Sequence, residues 1–263
     1  MRLRSALRFF ACLAFIVFTV QAKAAEIKVM ISAGFFGVYS ELGPAFEKAT
    51  GHKLVTTRGP SVGDSPEAIP ARLGRGEAAD VAIMDEVGVE PLAKRGLVRG
   101  DSTIKLAESK IGMAVRKGQP KPDISTVDGL RKALLDAKSV AVSDSSSGTY
   151  LSTAGFAKLG VADALAGKTR KVRGPPSGEP VAAVVARGEA EIGFQQVAEI
   201  IHVPGIDFVG TVPAEIQPPS FFAGVITSNS REPEAATALL RYLSSPEAAP
   251  VISKAGLGPL GRK

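Results

Sequence analysis

The chain has 263 residues, 45% of them hydrophobic, enough to bury one large core or two smaller ones. Its formal charge of +6 rests on the N-terminus: residues 1–24 hold Arg2, Arg4, Arg8 and Lys23 and no acid, so of 32 basic residues 28 remain against 26 acidic ones. That balance, with no basic patch interleaved with aromatics, excludes nucleic-acid binding, and a single cysteine, Cys12, excludes a disulfide framework.

Arg2, Arg4 and Arg8 precede an apolar run from Phe9 to Val20, and Ala22-Lys23-Ala24 fits a small-x-small cleavage site. A secretion signal over residues 1–24 is expected. The run is too short to span a bilayer, so the mature chain is expected not to be membrane-embedded.

Glu26 to Ile31 reads as a buried strand, followed by the small, polar turn Ser32-Ala33-Gly34. Val38, Leu42, Ala45, Phe46 and Ala49 recur at helical spacing, and Thr50-Gly51 ends that helix. Lys53 to Thr57 is the next strand, and a second polar turn runs from Arg58 to Pro66. Helix signals resume at Pro66, with Pro70 placed to delay or kink the helix. Asp80 to Asp85 is a third strand, with a helix beyond it to Gly96. Lys110 to Val115 is a strand, Lys117 to Pro122 a loop and Val127 to Ala137 a helix.

Ser139-Val140-Ala141-Val142 is a short apolar run, and Leu151, Phe156 and Leu159 behind it keep helical spacing. Between them Ser143-Asp144-Ser145-Ser146-Ser147-Gly148-Thr149-Tyr150 joins a strand end to a helix start. Unpaired N–H groups and the positive end of a helix dipole make such a turn an anion seat, and Gly148 would let a ligand approach the backbone. A plain helix cap by Asp144 or a serine explains the same residues. Lys171 to Gly178 reads as a loop, Val181, Val184 and Val185 as one face of a helix, and Ala190 to Gln196 as a strand ending in two amides. Phe221 to Ile226 is a strand, and Glu232 to Leu243 a helix.

Repeated strand-turn-helix units predict an α/β fold built on parallel strands, with ligands beyond the strand ends, where the turns at Ser32, Arg58 and Ser143 gather. Sharper motifs fail. Gly167-Lys168-Thr169 lacks the earlier glycine of a phosphate loop, and Ser102-Thr103-Ile104-Lys105 has no companion motif. His52 and His202 stand alone, so neither a metal site nor a Ser-His hydrolase is expected.

Val29 to Gly34, Gly76 to Val81 and Leu92 to Val98 resemble type II periplasmic solute-binding proteins of the molybdate-binding kind. The resemblance implies two α/β lobes with ligand in the cleft between them and crossings near Ile111–Val115 and Phe221–Thr227. It divides the chain into lobe I, residues 25–110 plus 222–263, and lobe II, residues 111–221. The molybdate pattern is broken where Gly34 replaces a serine, where Arg58, Pro60, Gly63 and Asp64 interrupt a serine run, and where Gln195-Gln196 replaces a tyrosine. Pro60 to Pro66, Ala68 to Leu73, Lys121 to Ser125, Ser143 to Ser152 and Gly193 to Gln196 instead resemble the bacterial aconitate isomerase group, periplasmic proteins of the same fold.

That resemblance implies a cofactor-free allylic proton shift between trans- and cis-aconitate. The alternative is a monomeric receptor that passes an organic acid or molybdate-like oxyanion to an ABC permease. Substrate-binding residues would be Ser32, Gly34, Arg58, Ser61, Ser65, Ser147, Gly148, Thr149, Gln195 and Gln196. A trianion asks for positive charge, which Arg58 or Arg173 could supply. For the proton step the candidates are Asp64, Asp144 and Tyr150, with Asp64 and Tyr150 assigned to it; Asp64 beside Gly63 also suits a turn cap.

Overall fold

The computed structural model describes residues 24–63 and 65–260. The expected secretion signal, but for Ala24, and the candidate base Asp64 lie outside the described residues.

Two sheets organise the chain. The first is assembled from β1 (Glu26–Ile31), α1 (Ala33–Thr50), β2 (Lys53–Arg58), α2 (Ile69–Gly74), β3 (Val81–Asp85), α3 (Val89–Lys94) and β4 (Ile104–Ser109). The second takes β5 (Ile111–Arg116), α4 (Val127–Asp136), β6 (Val140–Ser143), α5 (Ser146–Tyr150), α6 (Phe156–Leu159), α7 (Ala162–Leu165), β7 (Thr169–Val172), α8 (Val181–Ala186), β8 (Ile192–Gln196), α9 (Val197–Ile200) and β9 (Ile206–Thr211). The chain then returns to the first sheet with β10 (Ser220–Ile226), α10 (Pro233–Leu243), α11 (Ala249–Lys254) and β11 (Gly258–Pro259).

The strand orders are β11-β4-β10-β3-β1-β2 and β7-β6-β8-β5-β9. Both sheets are mixed, where the sequence predicted parallel ones. Strands fed by helical crossovers run parallel: β1 with β2 and β3, β6 with β7 and β8. Strands at the passages between sheets run against them: β10 against β3 and β4, and β5 against β8 and β9. The first passage is Lys110 alone, between β4 and β5, and the return covers Val212–Pro219.

The central strands are apolar up to their polar ends because helices cover both faces. β3 is buried at every residue, with Ile83 facing the cluster of Phe35, Phe46 and Leu239 and Met84 facing that of Ile69, Leu73 and Leu92. Phe194 and Val142 anchor the second sheet among Leu130, Leu134, Leu151 and Phe156. Helix α2 begins at Ile69 rather than Pro66, with Pro70 in its first turn, where a missing N–H costs nothing. Helices α5 and α6 are joined by a π turn over Leu151–Gly155.

Candidate active site

The ends of β1, β2, β3, β6 and β8 point at one seam between the lobes. There Ser32, Gly34, Ser61, Asp85, Ser143, Asp144, Gln195, Gln196 and Glu199 line a cavity of about 20 Å³. That space holds about one water molecule.

Ser32 supplies its backbone N–H to Ile83 O at 3.0 Å, and its side chain does not cap α1. Its Oγ is buried without a hydrogen-bond partner among the described residues. Such an orphaned hydroxyl costs free energy unless a ligand completes it. Ser61 is fully buried, and its Oγ accepts the N–H of Asp85 at 2.9 Å.

Asp85 closes β3 and stitches the lobes together. Its Oδ2 accepts from the Ser146 hydroxyl, and its Oδ1 accepts from Gln196 Nε2 at 2.7 Å. Burial pushes its carboxyl above the usual range, and bonds from Ser146, Gln196 and Ser61 pull it back. Gln196 reaches Asp85 only because Gly34 has no side chain: a Cβ there would lie 2.3 Å from Gln196 Oε1.

Gln195 faces into its own lobe. Its Oε1 accepts from Val181 N–H at 2.9 Å, and its Nε2 donates to Glu199 Oε2 at 2.7 Å. Glu199 sits four residues on, one turn into α9, whose first N–H is bonded to Lys110 O. Burial, then the charge of Asp85, pushes Glu199 up to about 8; Gln195 and Arg58 oppose this, and Asp144 adds to it. Arg58 is lowered by burial, with Glu199 working the other way, and its guanidinium lies 4.1 Å over the Phe36 ring. Arg58 Nε is buried without a partner among the described residues.

The structure brings Ser32, Gly34, Ser61, Asp144, Gln195 and Gln196 together and puts Ser65, Gly148, Thr149 and Tyr150 elsewhere. Gly148 packs on Ser143, where a Cβ would lie 2.0 Å from the Ser143 carbonyl oxygen, and its N–H donates to Ser143 Oγ at 3.1 Å. It allows the turn to close, not a ligand to approach. Ser147 Oγ is 3.2 Å from Ser143 Oγ. The Asp144 side chain does not cap α5; it accepts from Gly174 N–H at 3.1 Å.

The Tyr150 hydroxyl donates to the Ile216 carbonyl and accepts from Lys158 at 3.2 Å, on the return segment between lobes. With Ser147, Thr149 and Gln196 it lines a second, larger cavity of about 940 Å³ beside Gln217 and Phe221. Ser65 and Thr149 border a third, of about 620 Å³. Ser65 Oγ accepts from Arg173 at 3.2 Å, and Arg173 stands 3.9 Å from Glu67, so these residues latch the lobes at the rim.

Asp85 and Glu199 are the site residues that sequence reasoning missed. Asp85 ends a strand as Ser32 and Ser143 follow or end theirs, and Glu199 lies one helical turn beyond Gln195. Both signals are visible once the strand ends are read as a set.

Two α/β lobes, a two-way chain passage between them and a polar seam at the strand ends define a solute-binding protein. The chain belongs to the bacterial extracellular solute-binding protein family, which matches residues 27–258. It is 47% identical over 234 residues to the aconitate isomerase of Pseudomonas sp, covering 89% of this chain and 88% of that one. It is 29% identical over 241 residues to the molybdate-binding protein ModA of Azotobacter vinelandii, covering 90% and 91%. The solved structure of the Azotobacter vinelandii periplasmic molybdate-binding protein has the same fold, with a TM-score of 0.69 over 90% of this chain and 100% of that one at 25% identity. Among the described residues, no helix is long and apolar enough to cross a membrane.

Proposed function

We propose that this protein is an aconitate isomerase, interconverting trans- and cis-aconitate at the seam between its lobes. The observation that carries this is 47% identity to the Pseudomonas aconitate isomerase over nearly the whole of both chains. The site agrees in chemistry. Ser32 Oγ and Arg58 Nε are unspent donors for carboxylates, and acids with raised pKa values stand where protons must move.

A cavity of about 20 Å³ does not admit a six-carbon acid, so the lobes part before substrate binds. Opening breaks the Asp85–Ser146 and Asp85–Gln196 bonds, and substrate carboxylates take over the donors that Asp85 releases. Residues 1–24 act as a secretion signal and the mature monomer works in the periplasm.

The test is direct: mix the purified protein with trans-aconitate and follow the vinyl proton of cis-aconitate by NMR. Turnover at catalytic protein levels supports the reading. Tight binding without turnover sinks it and favours a receptor that serves an ABC permease, the reading suggested by the molybdate-binding relative.

A further inference from the structure

We propose that Glu199 is the group that moves the proton in this site: its carboxylate takes a proton from the substrate methylene, and its acid form returns one to the far allylic carbon. The assignment rests on the reading of the protein as an aconitate isomerase. The C–H electron pair becomes the new carbon–carbon π bond, and the old π pair shifts to the far carbon and spreads into its carboxylate. The proton carried by Glu199 then closes that carbon. Nothing is oxidised or reduced, and no co-reactant is required.

Geometry separates Glu199 from Asp85 and Tyr150. Gln195 Nε2 holds Oε2 at 2.7 Å, and Gln195 is itself fixed by Val181 N–H at 2.9 Å, so one oxygen is locked. The other makes no hydrogen bond to any described residue and belongs to a side chain that lines the cavity. Asp85 has both oxygens engaged, by Ser146 and Gln196. The Tyr150 hydroxyl is committed to Ile216. Asp144 lines the same cavity with Oδ1 held by Gly174 N–H and Oδ2 bonded to no described residue, so it is the rival acid, and Asp144→Asn should leave most of kcat in place if Glu199 moves the proton. The unpartnered hydroxyl of Ser32 opens onto the same cavity, a donor placed for the charge that builds on the substrate carboxylate.

Burial first, then the charges of Asp85 at the end of β3 and Asp144 after β6, raise the pKa of Glu199, and the bond from Gln195 and the charge of Arg58 at the end of β2 oppose them. A base whose pKa lies near the working pH exchanges protons efficiently in both directions.

Wild-type turnover of trans-aconitate is the first measurement, and its absence would overturn the reading of function rather than this assignment. Given turnover, kcat/KM of the wild type is expected to rise about tenfold per pH unit on the acid side and to level off near pH 8. A flat profile from pH 6 to 9 overturns the assignment, and needs no variant to fold. Glu199→Gln keeps an acceptor for Gln195 and removes a charge that repels the substrate, so aconitate affinity is expected to hold or tighten while kcat falls by about 10²–10⁴. Glu199→Asp is expected to restore part of kcat and to displace the acid limb. A Glu199→Gln protein that is folded and turns over within tenfold of the wild type would overturn the proposal.

Discussion

Gly34→Ala tests a tight contact between the lobes. In an exposed helix the change would stabilise by up to about 1 kcal/mol. Here the new Cβ lies 2.3 Å from Gln196 Oε1 and 2.4 Å from Phe222 Cζ. Phe222 is fully buried and packs 5.9 Å from the Phe35 ring, so it has nowhere to go. Gln196 can swing away, but only by releasing Asp85. Overpacking costs about 1–3 kcal/mol, and a hydrogen bond to a charged group about 1.5–3 kcal/mol. The clash wins, with a net loss of about 2–4 kcal/mol. For a chain of this size that lowers Tm by roughly 5–15 °C. Gly37→Ala is the control: it lies on the same helix, with nothing within 4 Å of its Cβ, and should hold or raise Tm. Thermal melts by circular dichroism, with aconitate turnover alongside, decide the matter. If both variants melt together and turn over alike, the close contact of Gly34 with Gln196 is not a feature of the folded protein.

Ser32→Ala removes a buried hydroxyl that bonds to no described residue, so Tm should hold or rise while KM for aconitate increases roughly 10–100-fold, the worth of one charge-assisted bond. Steady-state kinetics and a melt check both halves. Asp80→Asn should do the reverse. Asp80 accepts from Lys28 N–H, Ser230 Oγ, Arg231 N–H and Glu232 N–H at 2.8–3.1 Å, far along β3 from the site. Burial raises its pKa, but these four donors outweigh it and leave the carboxyl below 3.8. The sign follows: its contribution is complete above that unfolded value and is lost as pH falls through the lower folded one. An amide in place of the carboxylate must set a donor against a donor or leave one unpaired, about 1–3 kcal/mol. Tm should drop by several degrees at pH 7, with KM unchanged.

The strands at Ser32 and Ser143 are legible because Val29-Met30-Ile31 and Val140-Ala141-Val142 are apolar runs bounded by polar turns, and the one at Arg58 because Val55-Thr56-Thr57 favours a strand ahead of a Gly-Pro turn. Gln195 and Gln196 are legible too, as two amides closing an apolar strand. What escapes is long-range pairing. The partners of Asp85 are 61 and 111 residues away, and nothing local distinguishes its carboxylate from a turn cap. β9 escapes because Asp207 and Gly210 break up its apolar residues. The passage at Lys110 reads as the start of a strand because one residue carries no turn signal. Gly148 shows the same limit from the other side: sequence tells that a side chain is excluded, but not whether ligand or backbone excludes it.

An anion receptor has no use for acids at its ligand seat. Asp85 and Glu199 repel the carboxylates that Ser32 and Arg58 would attract, and keeping both ionised in a nearly closed cavity is costly. Their presence makes sense where a proton must leave carbon and return near neutral pH. Replacing both by amides should therefore turn the enzyme towards a receptor. Asp85→Asn with Glu199→Gln keeps hydrogen-bonding groups at both positions and removes up to two negative charges. One like charge at about 5 Å, screened by an effective dielectric near 20, is worth about 3 kcal/mol. Because Glu199, pushed up to about 8, is partly protonated at neutral pH, the gain should grow as pH rises. Calorimetric titration with trans-aconitate at pH 8.5 is expected to show at least tenfold tighter binding, about 1.4 kcal/mol, with turnover abolished. Weaker binding by the double variant would mean that the two carboxyls grip the substrate as hydrogen-bond donors, and the opposition between catalysis and affinity in this seam would have to be abandoned.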